Sequence, residues 1–419
     1  MPGYTSLKSM PPIHITSEIG TLQSVLVHTP GAELRAVTPG NKGDYLYDDI
    51  IQVEIAQREH RRFVAVLQRF AEVLQVGDLL SEALERPDAR EFFVRSTLDV
   101  VPSELLGRTL KELDPRALAR LIIEGVEEEG GALARALNSV GYTLPPLPNL
   151  FFPRDIGMVL GGHAVVGSMR HGVRWTEELL VKTLFAYHPR FANAGLLYDG
   201  SEERRNDYTL EGGDIHMLRP DLLVVGFSQR TSPAAIDHLC EVAFQKTGIT
   251  DVLVVVMPKE PTAIHLDMLF TQVDRELCVV YPPYFVGPER RAVLHRKKGR
   301  DGVREMPDFF AALREVGSPL QPIFAGGTHR STQDREQWTS GCNFLALKPG
   351  MIVSYRRNEG TIEALKQAGF RVVSSVDFVA FDDWLDTKHR TVITIDGDEL
   401  VRGGGGPRCM TLPLRRAPV

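Results

Sequence analysis

Five times between residues 155 and 409 a polar side chain heads a short apolar run, and this recurrence restricts the fold more than any other feature of the chain. Asp155 precedes Ile156–Val159, Asp214 precedes Ile215–Leu218, Asp267 precedes Met268–Phe270, Asn343 precedes Phe344–Leu347, and Cys409 precedes Met410–Leu412. A second apolar strand follows the first four heads within about a dozen residues, a hairpin-like connection. These strands are Ala164–Gly167, Leu222–Val225, Cys278–Tyr281 and Met351–Ser354. Helical stretches at Thr176–Tyr187, Pro233–Gln245 and Glu359–Gly369 follow three of the pairs. One supersecondary unit used repeatedly predicts a radial or stacked α/β array, whose heads would gather at one end of a common axis. The spacing of the heads is uneven, and an ordinary α/β domain with chance likeness among its strand starts is the alternative.

The N-terminal part supplies a strand, Leu22–His28, stopped by Pro30-Gly31. A helix is predicted over Val53–Val76 from the stripe Phe63, Val66, Leu67, Phe70 and Leu74. This strand and helix could complete the set of units. From Asp78 to Val140 the pattern is helical with almost no strand character. Asp114-Pro115 opens one helix, Leu118, Leu121, Ile122 and Val126 share its face, and Gly130-Gly131 ends it. The stiff Leu144-Pro145-Pro146-Leu147-Pro148 run closes the segment. The organisation expected is a catalytic α/β body over 1–76 and 146–419 with an all-helical insertion over 77–145.

Composition narrows the function. With 43% hydrophobic and 24% charged residues, the 419-residue chain reads as a globular protein. A net charge of −6 gives no basic footprint for nucleic acid. No segment holds the roughly 18 apolar residues of a membrane span. The four cysteines are scattered without zinc-type spacing. A cytoplasmic protein is expected, with neither membrane nor nucleic-acid partner.

Chemistry concentrates near the heads. Gly403–Gly406, Pro407 and Arg408 lead to Cys409, a thiol between a Gly-rich loop and an apolar strand, suited to a nucleophile. A buried core cysteine beside an ordinary turn would look the same. In an extended strand His265 and Asp267 would face one way. A hydrogen-bonded structural pair is the other reading of those two. Glu211-Gly212-Gly213-Asp214 sets two carboxylates about a glycine pair, although an acidic residue before a strand is commonly a turn-former. No HxxxH or CxxC pattern supports a metal. Several carboxylates without a metal form an anionic hole, which suits a planar guanidinium. Such a pocket raises the thiol pKa at rest, and a bound cation reverses that field.

Together, Asn149-Leu-Phe-Phe-Pro-Arg154-Asp155, Glu211-Gly-Gly-Asp214, His265-Leu-Asp267, Glu336-Gln-Trp338 and Gly-Gly-Pro-Arg408-Cys409-Met resemble the arginine deiminase family. Thr16-Ser-Glu-Ile-Gly20 and Val27-His-Thr-Pro-Gly31 match its opening, so the likeness runs nearly the whole chain. The resemblance implies a five-bladed ββαβ propeller, the pentein fold, around a central pocket. It implies hydrolysis of L-arginine to L-citrulline and ammonia through a covalent S-alkylthiouronium on Cys409, without a cofactor. By motif position His265 is the general acid/base, Glu211 orients it, and Asp155 and Asp267 grip the guanidinium. Asn149, Arg174 and Arg230 fall where the family holds the amino-acid carboxylate, and Phe152 where it packs the aliphatic stem. Taken alone, Arg174 and Arg230 read as solvated surface arginines. Pro153 stands where the family usually has threonine, removing a backbone donor beside the grip. Gly404 stands where many members carry an arginine, and a looser loop is expected. A homo-oligomer is the expected assembly. Rival functions are a hydrolase of another guanidine, an arginine dihydrolase, an amidinotransferase, or a non-catalytic arginine-binding protein.

Overall fold

Residues 11–128, 131–137, 141–203, 208–385 and 388–419 are described by a computed structural model. Five of its sheets share one plan: a first strand antiparallel to a second, which runs parallel to a third. Gly157–Leu160 pairs with His163–Val166, which pairs with Leu196–Asp199. The plan repeats in Ile215–Arg219, Leu222–Phe227 and Asp251–Val256. It repeats again in Phe270–Gln272, Leu277–Val280 and Gln321–Phe324, and in Leu345–Lys348, Met351–Tyr355 and Thr391–Ile395.

The fifth sheet joins distant parts of the chain, with Leu412–Arg416 antiparallel to Leu22–Val27 and Leu22–Val27 parallel to Glu72–Gln75. A parallel pair requires a crossover. Helices supply it at Trp175–Tyr187, Pro233–Lys246 and Glu359–Gln367, and at Val53–Gln68 in the fifth sheet. The strand and helix near the N-terminus therefore complete the set.

The helix expected over Val53–Val76 ends at Gln68. Its last turn tightens, with the Phe70 and Ala71 N–H groups both donating to Leu67 O. Glu72–Gln75 then leaves as a strand in which Leu74 pairs with Leu26. Leu74 fits a helical stripe equally well, and the pairing with Leu26 decides in favour of the strand.

Helices at Val76–Leu84, Pro87–Val100, Glu104–Glu112 and Pro115–Glu124 fill the next segment. Asp114 caps the last of these, accepting from the Arg116 and Ala117 N–H groups. That helix stops at Gly125, with φ of 83°, and not at Gly130-Gly131, where Gly130 lies outside the described residues, as does Val140. Val126–Glu127 pairs antiparallel with Tyr142–Leu144, so the segment is not wholly helical. Its apolar face shares one core with the sheets: Leu80, Leu118 and Ile122 lie in a cluster with Leu184, Leu412 and Leu414. Among the described residues no helix is long and apolar enough to cross a membrane.

Candidate active site

The strand heads converge. The Cys409 sulfur lies 3.6 Å from Asp267 Oδ2 and 3.1 Å from Asn343 Nδ2. Asn343 Oδ1 accepts the N–H groups of both Arg408 and Cys409, fixing the backbone under the thiol. His265 Nε2 lies 2.7 Å from Glu211 Oε2, and its Nδ1 lies 3.7 Å from Asp155 Oδ1. Asp214 stands one layer back. It accepts from the Ser228 hydroxyl and from the Leu266 N–H, holding the turn that carries His265. It is a structural clamp.

Local conformation differs from the expected strands. His265 precedes a 3₁₀ turn, Leu266–Met268, that contains Asp267, so the alternation of an extended strand does not align the two. Gly212–Asp214 is a second such turn, and the glycines there are required by close approach. A Cβ on Gly213 would stand 2.6 Å from the His265 ring, and one on Gly212 would collide with the Arg154 carbonyl. The Gly loop follows the same rule. Side chains at Gly403, Gly405 and Gly406 would strike Phe151, Phe152 and Asn343, and the Tyr355 hydroxyl donates to Gly405 O. Only Gly404, at φ of 86°, faces open space. The loop is thus tethered on three sides, tighter than its composition predicts. Pro153 sits at the first position of a short helix, Pro153–Ile156, where an N–H has no intrahelical partner in any case.

The electrostatics separate the roles. Burial first, then the charges of Asp267 and Asp155, push the Cys409 thiol well above its ordinary pKa. Burial alone would lower His265, but the Asp155 carboxylate and the Glu211 hydrogen bond and charge raise it to about 9. Burial opposes ionisation of Glu211, yet Arg230 and His265 hold it well below the usual carboxylate range. Asp155 and Asp267 each have one oxygen taken by an arginine, from Arg174 Nη1 at 2.7 Å and Arg408 Nη1 at 2.8 Å. The other oxygen of each is buried without a hydrogen-bond partner in the protein. Two carboxylate oxygens without a hydrogen-bond partner can accept the paired N–H groups of a planar cation.

Arg174 and Arg230 are buried, not solvated, with 3% and 7% exposure. Arg174 is fully engaged: Nε and Nη2 donate to Glu177 and Nη1 to Asp155. The free carboxylate-binding fork expected of Arg174 is therefore not presented, because Glu177, one helical turn on, occupies it. Arg230 reaches Glu211 through Nη1 alone, at 3.4 Å. The Asn149 amide donates to Tyr45 O, and the Phe152 ring packs on Phe151 at 3.9 Å between centroids. Asn149, Phe152, Asp155, Arg174, Arg230, His265 and Cys409 line one small cavity of about 40 Å³. It shares Leu46, Arg230 and Gly404 with an outer cavity of about 510 Å³.

Asp155, Glu211 and His265 bring one ligand atom each within 4.8 Å of one another. Arg174 and Arg230 already lie against both carboxylates, so the trio suits a proton on His265 better than a dication. Glu336 and Gln337 serve the frame. Glu336 accepts from the Gly360 and Thr361 N–H groups, and Gln337 donates to Thr262 O beside the His265 turn. Sequence reasoning assigned no role to Glu177, Glu18 or the Arg408 side chain. The conspicuous cue was a charged residue directly before Cys409.

The family model described as arginine deiminase matches residues 43–416. An arginine deiminase of Rhodococcus erythropolis is 31% identical over 428 residues, covering 97% of this chain and 98% of that protein. One from Listeria monocytogenes is 33% identical, covering 96% and 98%. Among solved structures, SxtG, an amidinotransferase from Microseira wollei, superposes with a TM-score of 0.53 at 16% identity over 97% of this chain and 98% of that one. The N-terminal domain of ArgZ, a cyanobacterial arginine dihydrolase bound to product, gives 0.51 at 15% identity over 94% and 97%. These two share the fold, whereas the sequence matches cover 96–97% of this chain, and the family match includes position 409. The chain belongs to the arginine deiminase family.

Proposed function

We propose that the protein hydrolyses L-arginine to L-citrulline and ammonia, with its five sheets set as the blades of a propeller around the site and residues 77–145 as an insertion. The observation that carries this reading is that Asp155 and Asp267 each keep a buried oxygen, Oδ1, without a hydrogen-bond partner in the protein, with Asp267 Oδ2 3.6 Å from the Cys409 sulfur and Asp155 Oδ1 3.7 Å from His265 Nδ1. The substrate guanidinium docks on these two oxygens. Its charge offsets the two aspartates that hold the thiol protonated, the thiol gives its proton to solvent, and the thiolate sulfur attacks the guanidinium carbon. His265, cationic between Glu211 and Asp155, protonates the leaving nitrogen. Ammonia departs, leaving the S-alkylthiouronium. The neutral imidazole then takes a proton from water, whose hydroxide adds to the same carbon, and the C–S bond breaks as the hydroxyl proton passes to the departing sulfur, giving citrulline and the resting thiol. Arg230 and, on giving up Glu177, Arg174 receive the α-carboxylate, and Phe152 packs the methylene stem.

The test is stoichiometry. Pure protein given L-arginine should release one citrulline and one ammonia per arginine consumed. Ornithine with additional ammonia would move the assignment to a dihydrolase, and no reaction would overturn it.

A pH dependence follows. With the folded pKa of His265 raised from 6.5 to about 9, the stability contributed by its proton is full below the lower value and is lost as pH climbs through the upper one. Turnover should fall over the same alkaline interval. Iodoacetamide alkylation of Cys409 in the free protein, which requires thiolate, should keep rising. Turnover that stays level from about pH 8 to about pH 10 would remove His265 from the acid's role.

A further inference from the structure

Behind the Cys409 thiol lies a second layer of charge that the proposed mechanism leaves unused. The Arg408 guanidinium is 1% exposed and is not among the residues that line the cavity. Its Nη1 donates to Asp267 Oδ2, while Nε and Nη2 fork onto Glu18 at 3.2 Å each, and Nη2 also reaches Ile215 O at 2.8 Å. Glu18 belongs to Thr16-Ser-Glu-Ile-Gly20, a stretch with no other chemistry attached. That stretch is firmly built in: the Gly20 N–H donates to Ser17 Oγ, and Arg416 Nη1 donates to Gly20 O at 2.7 Å. A side chain at Gly20 would collide with the Ala417 carbonyl.

We infer that Glu18, acting through the Arg408 fork, is a positioning residue for the site: it holds Asp267 with Oδ1 turned to the substrate and balances the cation beside the nucleophile. The inference rests on reading Asp267 as half of the guanidinium grip. A single bond to Nη1 would leave the Asp267 carboxylate free to swing, and the planar fork locked on Glu18 removes that freedom. The charges facing Glu18 are Arg408, Arg154 and Arg416, with His216 beside them. Burial would raise the Glu18 carboxyl, yet Arg408 foremost, then Arg154, hold it well below the usual range. The groups facing the thiol are Asp267, Asp155, Arg408, Arg154 and Tyr355. Glu18 sets how much of the Arg408 charge reaches the sulfur.

The experiment reads two quantities that a purely structural role would move together. Glu18→Gln keeps the shape and removes the balancing charge. Alkylation of Cys409 by iodoacetamide at fixed pH without substrate, located by peptide mass spectrometry, should speed up about 3- to 10-fold as the cation stabilises thiolate. The kcat/KM for L-arginine should fall about tenfold as the Asp267 orientation loosens. If both fall, or neither moves, the assignment is overturned. Arg408→Lys keeps the charge and loses the fork, so alkylation should stay within about twofold while KM rises several-fold. An unchanged KM there overturns the inference even if the Gln variant fails to fold. Were the wild-type protein to form no citrulline, the deiminase reading would fall, and alkylation would still decide the charge coupling.

Discussion

Cys409→Ala should fold normally and form citrulline at least about 10⁴-fold more slowly than the wild-type protein, since removing a covalent nucleophile costs about that factor or more. The geometry explains why no neighbour substitutes. Among the described residues the other cysteines, Cys240, Cys278 and Cys342, are buried in apolar clusters with their thiols raised by burial. The sulfur of Cys409 has Asn343 Nδ2, Asp267 Oδ2 and the Gly406 N–H as polar partners, and replacing it leaves the Asn343 and Asp267 groups with other hydrogen bonds. Loss of one small buried atom from the cavity wall costs about 1 kcal/mol. Circular dichroism and the urea midpoint should therefore stay close to wild type. Acid quenching of the wild-type protein during turnover should trap a thiouronium adduct on Cys409, and the variant should give none. Citrulline formation by the variant within about tenfold of wild type would exclude the covalent route.

The five heads were legible because each couples two independent cues, a polar residue and an apolar run, and local sequence preserves both. Their convergence could be anticipated once repetition was recognised; Asp155, Asp267, Asn343 and Cys409 come together, whereas Asp214, expected with them, is held behind His265 by Ser228 and the Leu266 N–H. Backbone detail was not legible. Leu74 satisfies a helical stripe and a parallel strand equally, and only its pairing with Leu26 across the chain decides between them. His265 and Asp267 were assigned to one site for the wrong local reason, because a 3₁₀ turn, not a strand, presents them. The Gly403–Gly406 run suggested looseness, yet three of those glycines are there because aromatic rings and Asn343 leave no room for a Cβ. Contacts over long sequence separation were the hardest. Nothing in periodicity or spacing ties Glu18 to Arg408 across 390 residues. For Arg174, position indicates the site, but Glu177 on the following helix determines which way its fork points.

Asp155→Asn should lower kcat/KM for L-arginine about 10³-fold or more and bring the alkaline loss of activity to lower pH. The substitution keeps the volume and removes the charge, and three consequences follow from one position. The grip loses a charge-assisted hydrogen bond to the guanidinium, worth about 1.5–3 kcal/mol. His265 loses the strongest of the influences that raise it, since the Asp155 charge outranks the Glu211 bond. Its proton is then released at lower pH than in the wild-type protein, so the acid needed by departing ammonia becomes scarce sooner as pH rises. Arg174 keeps Glu177 but loses its 2.7 Å partner, so its guanidinium is less firmly directed along the cavity. The resting thiol moves in the opposite sense. Asp155 is one of the two carboxylates that hold Cys409 protonated, and without it alkylation of the free protein should accelerate. Faster alkylation together with slower turnover separates this variant from simple damage, in which both would decline. A variant with kcat/KM within about tenfold of wild type and an unmoved alkaline limb would show that Asp155 neither grips the substrate nor holds the proton on His265.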